Sequence, residues 1–380
     1  MLNISPQMHS IWGDFSFNMK INFFLFVTLF FFSCSSQKDA DNIDLLDFSN
    51  SKIMEVEIKD WIKVEATAQL DVQDSIPFGK IIQVEFSDSE IFVLENGINS
   101  SILVFDREGK YKKQLLKLGT GPGEYSQIEF FVKRENSILV YDRSYQKLIN
   151  YSTTDFSVLQ EYKSQDYFLG GLGGLANDRV FLVSDSELEA EIYKGYGFFN
   201  ADFSSPQYQP QFSGNIEAFL PQSISSFSEK NYLVQPFSDK VFEIEKDSLK
   251  LSFIIDFGSK KVPLETSEVI DAEEFYRILE NGSYYFAPHN LLIAEKSVGF
   301  NFFKESIDNL NFGLIQNGQA YRFSIDSDLK ELFLKPIAVR EDLFHTILLP
   351  GEYNEEVIEL LNLTEVDYEK PILVSYTIGQ

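Results

Sequence analysis

One strand pattern returns along this chain at near-regular intervals: an apolar run that ends in an aromatic residue and passes at once into a polar turn. It reads Leu103-Val104-Phe105-Asp106 before Gly109, Ile149-Asn150-Tyr151-Ser152 before Asp155, and Gly197-Phe198-Phe199-Asn200 before Asp202. It returns as Lys240-Val241-Phe242-Glu243 before Asp247, Tyr321-Arg322-Phe323-Ser324 before Asp326, and Leu373-Val374-Ser375-Tyr376 near the C-terminus. The anchors Phe105, Tyr151, Phe199, Phe242, Phe323 and Tyr376 lie 46, 48, 43, 81 and 53 residues apart. A period of roughly 40–50 residues is the length of a four-stranded propeller blade. The first copy shows the whole module, with strands expected at 81–86, 91–94, 102–105 and 111–118. Ser87-Asp88-Ser89, Asn96-Gly97 and Arg107-Glu108-Gly109 supply its turns.

Six anchors predict an all-β, six-bladed β-propeller with four-stranded blades over residues 52–380. The last copy stops four residues after Tyr376, so its outer strand must come from elsewhere, because an open end would expose unpaired backbone groups. Trp61-Ile62-Lys63-Val64 is strand-like and available, which predicts one blade closed by both chain ends. The long interval holds an excess near 259–286, where Asp271 and Glu274 fit a capping box and Phe275, Ile278 and Leu279 share a face. This is read as a helical insertion, and a second short helix is expected at 355–361. A two-sheet sandwich would also be all-β, but it does not predict equal spacing.

Composition agrees with a soluble β-rich body: 44% hydrophobic, 24% charged and 15% aromatic residues, with 37 Phe and 18 Tyr. The formal net charge of −26 disfavours nucleic acid, whose binding rests on cations that neutralise phosphates. The single cysteine excludes an internal disulfide.

That cysteine, Cys34, directly follows an apolar run. Met19-Lys20 opens a basic start, residues 21–32 are almost wholly apolar, and Ser33 is small, which is the layout of a secretory signal. The run is too short to span a bilayer. Residues 1–18 read as an over-extended start, 19–33 as the signal, and 34–51, opening with the polar Ser35-Ser36-Gln37-Lys38-Asp39-Ala40-Asp41-Asn42, as a tether. The position of Cys34 resembles that of the lipid-attachment cysteine of bacterial lipoproteins. Phe31 and Phe32 depart from the usual Leu and small residue before it, although Phe-rich cores occur in Bacteroidetes lipoproteins. The resemblance implies attachment to a membrane through acyl chains, each buried CH₂ contributing about 0.8 kcal/mol.

Residues 53–151 resemble the Bacteroidetes six-bladed β-propeller lipoprotein family, of the NHL/TolB-like propeller kind. The matching pieces are Gly79-Lys80-Ile81, Ile102-Leu103-Val104-Phe105-Asp106-Arg107-Glu108-Gly109-Lys110 and Gly119-Thr120-Gly121-Pro122-Gly123-Glu124-Tyr125. Lys370-Pro371-Ile372-Leu373-Val374-Ser375-Tyr376 looks like the family's closing strand. The resemblance implies the fold and a place in the cell envelope, on the outer membrane. It implies no established activity.

Few residues invite chemistry. The run 119–125 lacks the Lys and Ser or Thr of a phosphate loop and has Glu124 in their place. Its glycines and Pro122 suit a blade-joining turn, echoed by Leu349-Pro350-Gly351-Glu352-Tyr353; the alternative is a ligand loop facing the central channel, with Gly121, Gly123, Glu124 and Tyr125 as contacts. Gly170-Gly171-Leu172-Gly173-Gly174 reads as a flexible connection. Downstream of Cys34 only His289 and His345 occur, which excludes a His-rich zinc site and gives no catalytic set; both read as packing or surface residues. No metal-ligand set can be named, although a carboxylate and amide Ca²⁺ site in the channel stays open. Asp106, Asp155 and Asp326 are expected to hold turns. The functional expectation is a lipid-anchored module that binds a protein, peptide or glycan at one mouth of its channel. The alternatives are a metal-assisted hydrolase or lyase, or an envelope scaffold.

Overall fold

The computed structural model describes residues 44–380 except 56, 73–75, 77, 164–168, 175–178, 185–194, 201, 203–206, 209–223, 228–229, 235–237, 247, 264–271, 353, 364–366 and 380. The chain opens with β1 (Asp44–Asp47), β2 (Lys52–Ile53) and β3 (Ile62–Gln69). It then runs through antiparallel meanders. The first holds β4 (Ile81–Phe86), β5 (Glu90–Glu95), β6 (Ser101–Asp106) and β7 (Tyr111–Leu115). The second holds β8 (Phe130–Lys133), β9 (Ser137–Asp142), β10 (Lys147–Ser152) and β11 (Val158–Lys163). The third holds β12 (Leu169–Gly174), β13 (Arg179–Ser184), β14 (Gly195–Asn200) and β15 (Gln207–Tyr208). The fourth holds β16 (Ile224–Phe227), β17 (Lys230–Val234), β18 (Lys240–Ile244) and β19 (Leu249–Asp256). Helix α1 (Ala272–Glu280) precedes β20 (Tyr285–Ile293), β21 (Ser297–Lys304), β22 (Ser306–Gln316) and β23 (Gln319–Ser324). Helix α2 (Asp328–Leu334), β24 (Ala338–Arg340), β25 (Leu343–Leu348), α3 (Glu355–Leu361) and β26 (Ile372–Ile378) complete the chain.

These strands form a β-propeller of four-stranded sheets. Five sheets draw their four core strands from one continuous stretch each. The sixth joins β24, β25 and β26 to β3 from the other end of the chain. Tyr376 pairs with Val64 and Ile378 with Ile62, so the Trp61 region meets the Tyr376 strand as expected. The first strands β4, β8, β12, β16, β20 and β24 touch in succession, and β24 returns to β4. They are the innermost strands.

Sheets here are packed on both faces, which explains why the centres of β5 and β6, residues 91–94 and 102–105, are continuous apolar runs rather than alternating. Phe92, Leu94, Ile102 and Val104 pack with Phe131, Val140 and Tyr151 of the next sheet. Their neighbours Ile91, Val93, Leu103 and Phe105 pack with Ile347 and Leu373 of the closing sheet. Fully burying one such side chain contributes about 1.5–3 kcal/mol, so the contacts between sheets dominate the stability. The buried tyrosines keep a polar partner. Tyr151 donates to the Gly123 carbonyl at 2.9 Å and Tyr376 to the Phe333 carbonyl at 2.7 Å.

The structure corrects several expectations. Phe323 lies on the fourth strand of its sheet, not the third. The third strand, β22, packs Ile315 against the preceding sheet and has no aromatic residue at that place, so the recurring pattern falls on β23 instead. The fourth strand of the first module ends at Leu115, three residues early. Gly170–Gly174 is no linker but part of innermost strand β12. Helix α2 was not foreseen; Ser327 caps it by accepting the Lys330 N–H. Asp326 therefore precedes a helix and binds Lys330 Nζ at 2.8 Å, whereas Asp106 and Asp155 hold turns by accepting the N–H of Lys110 and Ser157.

The stretch 34–51 is not a free tether along its whole length. Strand β1 lies parallel on the outer edge of β19, and β2 lies parallel on the outer edge of β23. Between them Phe48 is fully buried against Phe257, Tyr285, Phe300 and Phe302, with ring centroids 5.1–6.4 Å away. The segment is a strap across two neighbouring sheets. Cys34, the signal, the start at 1–18 and Asp271 lie outside the described residues.

Candidate functional site

The two faces of the ring differ because an antiparallel meander places alternate connections at opposite ends. First-to-second and third-to-fourth strand connections share one face. Among the described residues these are tight, as at 87–89, 107–110, 134–136, 294–296 and 317–318. The other face receives the fourth-to-first and second-to-third connections, which include 116–129, 257–284, 325–337 and 349–371 and carry α1, α2 and α3. Long connections held by a rigid scaffold are where binding groups concentrate.

The wall of this helix-bearing mouth is distorted at one innermost strand. Strand β20 loses register with β21 twice, around His289. Ala287 and Asn290 stand at φ 51° and 47°, a left-handed conformation that costs a non-glycine residue of order 1 kcal/mol. Bulges of this kind re-aim side chains and gather beside functional sites. His289 Nδ1 lies 2.8 Å from the Ala287 carbonyl. A carbonyl only accepts, so Nδ1 carries the proton and Nε2 keeps its lone pair. The ring stacks on Phe303 at 5.2 Å, and burial, aided by the charge of Lys335, holds its pKa below the usual range. Asn290 Nδ2 donates to Asn301 Oδ1 at 2.9 Å and to the Pro336 carbonyl at 3.0 Å. Asn301 in turn donates to the Leu334 carbonyl at the end of α2 at 2.9 Å. Helix α1 rests on Phe286 and Ala287 through Phe275 and Leu279, with Ile278 beside them. His289 is thus braced by two helix-bearing connections. The only sequence signal for it was the scarcity of histidine.

Away from β20, between the adjacent innermost strands β4 and β8, Gln83 exchanges two hydrogen bonds with the Phe131 backbone, at 2.8 and 3.1 Å, and donates to Glu85 Oε1 at 3.0 Å. Burial raises the pKa of Glu85.

The run 119–125 lies elsewhere. Its partners, Val158 and Glu161, belong to outermost strand β11, so the loop sits at the outer rim and does not face the central channel. Tyr125 is fully buried; its hydroxyl donates to the Leu115 carbonyl at 3.1 Å, and burial raises its pKa strongly. Glu124 accepts the Gly121 N–H at 2.8 Å, closing the turn on itself. A Cβ at Gly119 would stand 2.0 Å from Glu124 Oε2, and one at Gly123, where φ is 69°, would stand 2.3 Å from Val158 Cγ2. Gly123 also donates to Glu161, whose other oxygen pairs with the buried Lys147 Nζ at 3.1 Å. Glu352 repeats the closure by accepting the Leu349 N–H at 2.7 Å, but that turn links β25 to β26 and joins no two sheets. The outer side of the first turn borders an open groove of about 590 Å³, lined by Leu116, Leu118, Pro122 and Val158 with Lys117 and Glu124.

Among the described residues no group of three or more His, Cys, Asp and Glu side chains is placed to hold a metal ion. Among them, too, no helix is long and apolar enough to cross a membrane.

Comparison with solved structures shows the same fold in a Bacteroides fragilis NCTC 9343 protein provisionally described as exported. The TM-score is 0.69 at 16% identity, covering 88% of this chain and 100% of that one. Virginiamycin B lyase from Staphylococcus aureus covers 83% of this chain and 99% of its own at 11% identity, with a TM-score of 0.44, too low to carry an argument. A search of curated proteins returns no match. A family model matches residues 40–375, nearly the whole propeller, and on that match the chain belongs to the family described as Domain of unknown function (DUF4934).

Proposed function

We propose that this chain is a lipid-anchored, six-bladed propeller of the cell envelope that binds a ligand or partner protein at its helix-bearing mouth. Each of the six sheets is read as one blade. The observation that carries the reading is the asymmetry of the ring: tight turns close one face, while the other holds α1, α2 and α3 beside the strained, doubly bulged strand at His289. Lipidation at Cys34 supplies the anchor, and the outer membrane is the membrane proposed to carry it.

Two experiments test this. Metabolic labelling with an alkyne fatty acid should mark the wild-type chain and not Cys34→Ser; equal labelling of both removes the anchor. A thermal-shift screen of envelope glycans and peptides should find a stabiliser whose effect is lost in His289→Ala and kept in Glu135→Arg on the tight-turn face. A ligand at a hundred times its Kd stabilises by about 2.7 kcal/mol, well within reach of the method. Loss only in Glu135→Arg would place binding on the wrong face.

A second reading, a hydrolase or lyase, is favoured by one observation: the tautomer of His289 leaves Nε2 able to accept a proton.

A further inference from the structure

The groove beside Leu116–Leu118 occupies, on one pair of neighbouring sheets, the place the strap occupies on another. After β19 ends at Asp256, Phe257 and Gly258 meet the strap: Phe48 N donates to the Asp256 carbonyl at 2.9 Å, and a Cβ on Gly258 would stand 2.6 Å from Ser49 Cβ. The strap then crosses to outer strand β23 of the next sheet. After β7 ends at Leu115, the corresponding residues Leu116, Lys117 and Leu118 form one wall of the groove, and Val158 of β11, outer strand of the next sheet, forms the other. Among the described residues none plays the part of Phe48 here. Leu116, Leu118, Val158 and Leu159 are 43, 49, 40 and 51% exposed, whereas Phe48 is 0% exposed. Strand β11 ends its sheet with no outer partner among the described residues. Lys110, just before β7, makes an isolated parallel bridge with Asp71, so chain already runs in the strap's direction beside the start of that strand.

Charge narrows the occupant. Lys117 lines the groove with its Nζ on the Phe156 carbonyl at 2.6 Å and over the Tyr151 ring at 5.3 Å. Lys113 holds the Thr153 carbonyl and stands over Phe156 at 5.2 Å. Glu124 also lines the groove but is turned onto the Gly121 N–H, and neither lysine has a carboxylate partner among the described residues, although the protein as a whole carries −26. The strap itself is an apolar segment between acids, Asp44-Leu45-Leu46-Asp47-Phe48.

We infer that the rim groove between β7 and β11 receives an extended, acidic and apolar segment of a partner protein, which adds in parallel to the free edge of β11 and seats one large apolar side chain between Leu118 and Val158. Backbone pairing would supply affinity and the seated side chain specificity, as in other strand additions. The site is separate from the helix-bearing mouth and stands whether or not that mouth binds anything.

The probe is a fluorescein-labelled peptide with the sequence of residues 44–53, titrated into the purified full chain, whose own strap already fills the site on β19. Anisotropy should show saturable binding that weakens at least tenfold in Leu118→Asp and in Val158→Asp, and in a peptide carrying Phe48→Asp. Lys117→Gln should weaken it a few-fold and reduce its salt dependence. Hydrogen exchange over 158–163 should slow when peptide is bound. These side chains are exposed, so the variants keep the wild-type melting temperature; should Leu118→Asp misfold, Leu118→Ala serves in its place. No saturable binding, binding unchanged in both groove variants, or unslowed exchange over 158–163 overturns the inference.

Discussion

His345 is buried on β25 with Nδ1 2.9 Å from Ser375 Oγ and its ring 4.6 Å from that of Phe86. Nε2 has no hydrogen-bond partner. Burial, aided by the charge of Arg340, pushes its pKa down to about 4. An unfolded chain titrates histidine near 6.5, so between about pH 6.5 and 4 the unfolded state binds more protons than the folded one. The stability due to neutral His345 is therefore present above pH 6.5 and lost as pH falls through 4, and it amounts to about 3 kcal/mol. Glu85 acts in the opposite sense, because its folded pKa is raised and its native proton is lost as pH rises. The informative quantity is thus a difference. Urea unfolding of wild type and His345→Gln across pH 4 to 7 should give curves that converge toward pH 4 and diverge toward neutrality. A constant gap would mean that His345 titrates in the native state as it does in the unfolded chain. Sequence reading left His345 as a packing or a surface residue, and its burial selects packing. His289 received the same reading. Only the bulge and the Ala287 carbonyl set it apart, and neither is written in a local pattern.

At the scale of elements, the strap shows what periodicity can and cannot reveal. The first module was legible because Ile91–Leu94 and Ile102–Phe105 form short apolar runs bounded by turn residues, and sheets buried on both faces need such runs. The final short helix at 355–361 was legible from its spacing, with Asn354 capping it through the Val357 N–H at 3.1 Å. The strap has no such period. Its two strands are short, and its contribution comes from one residue, Phe48, whose partners lie more than two hundred positions away. The tether composition of 35–42 masked it. Phe48→Ala removes a ring held by four others and should cost about 3–5 kcal/mol. It should also loosen both outer edges it joins. Hydrogen exchange should quicken over β1, β2 and the outer residues of β19, with β8–β11 unchanged. A loss of stability spread evenly over the ring would mean that Phe48 is ordinary core and that the strap has no separate role.

At the scale of the whole molecule, the ring is sealed by one antiparallel pair, β26 on β3, between residues some three hundred positions apart. Every other four-stranded meander closes within one stretch of chain, so among the six sheets only this one must overcome a long loop-closure entropy to complete its four core strands. Tyr376 concentrates the seal. It is fully buried, pairs with Val64, packs edge-on against Phe333 at 5.2 Å and donates to the Phe333 carbonyl, which ties the seal to α2. Tyr376→Phe removes only the hydroxyl and leaves a buried carbonyl unpaired, at about 1–3 kcal/mol. Tyr376→Ala adds a cavity and should cost about 3–5 kcal/mol. Because the pairing is mutual, both variants should quicken exchange in β3 as much as in β26, although β3 lies at the other end of the sequence. The tyrosine's neighbours within the meander, β24 and β25, should respond less. If β25 and β26 quickened together while β3 kept its protection, the N-terminal strand would be held by Trp61 against Tyr321 and Phe323 of the adjoining sheet, and the seal would lie between sheets, not within one.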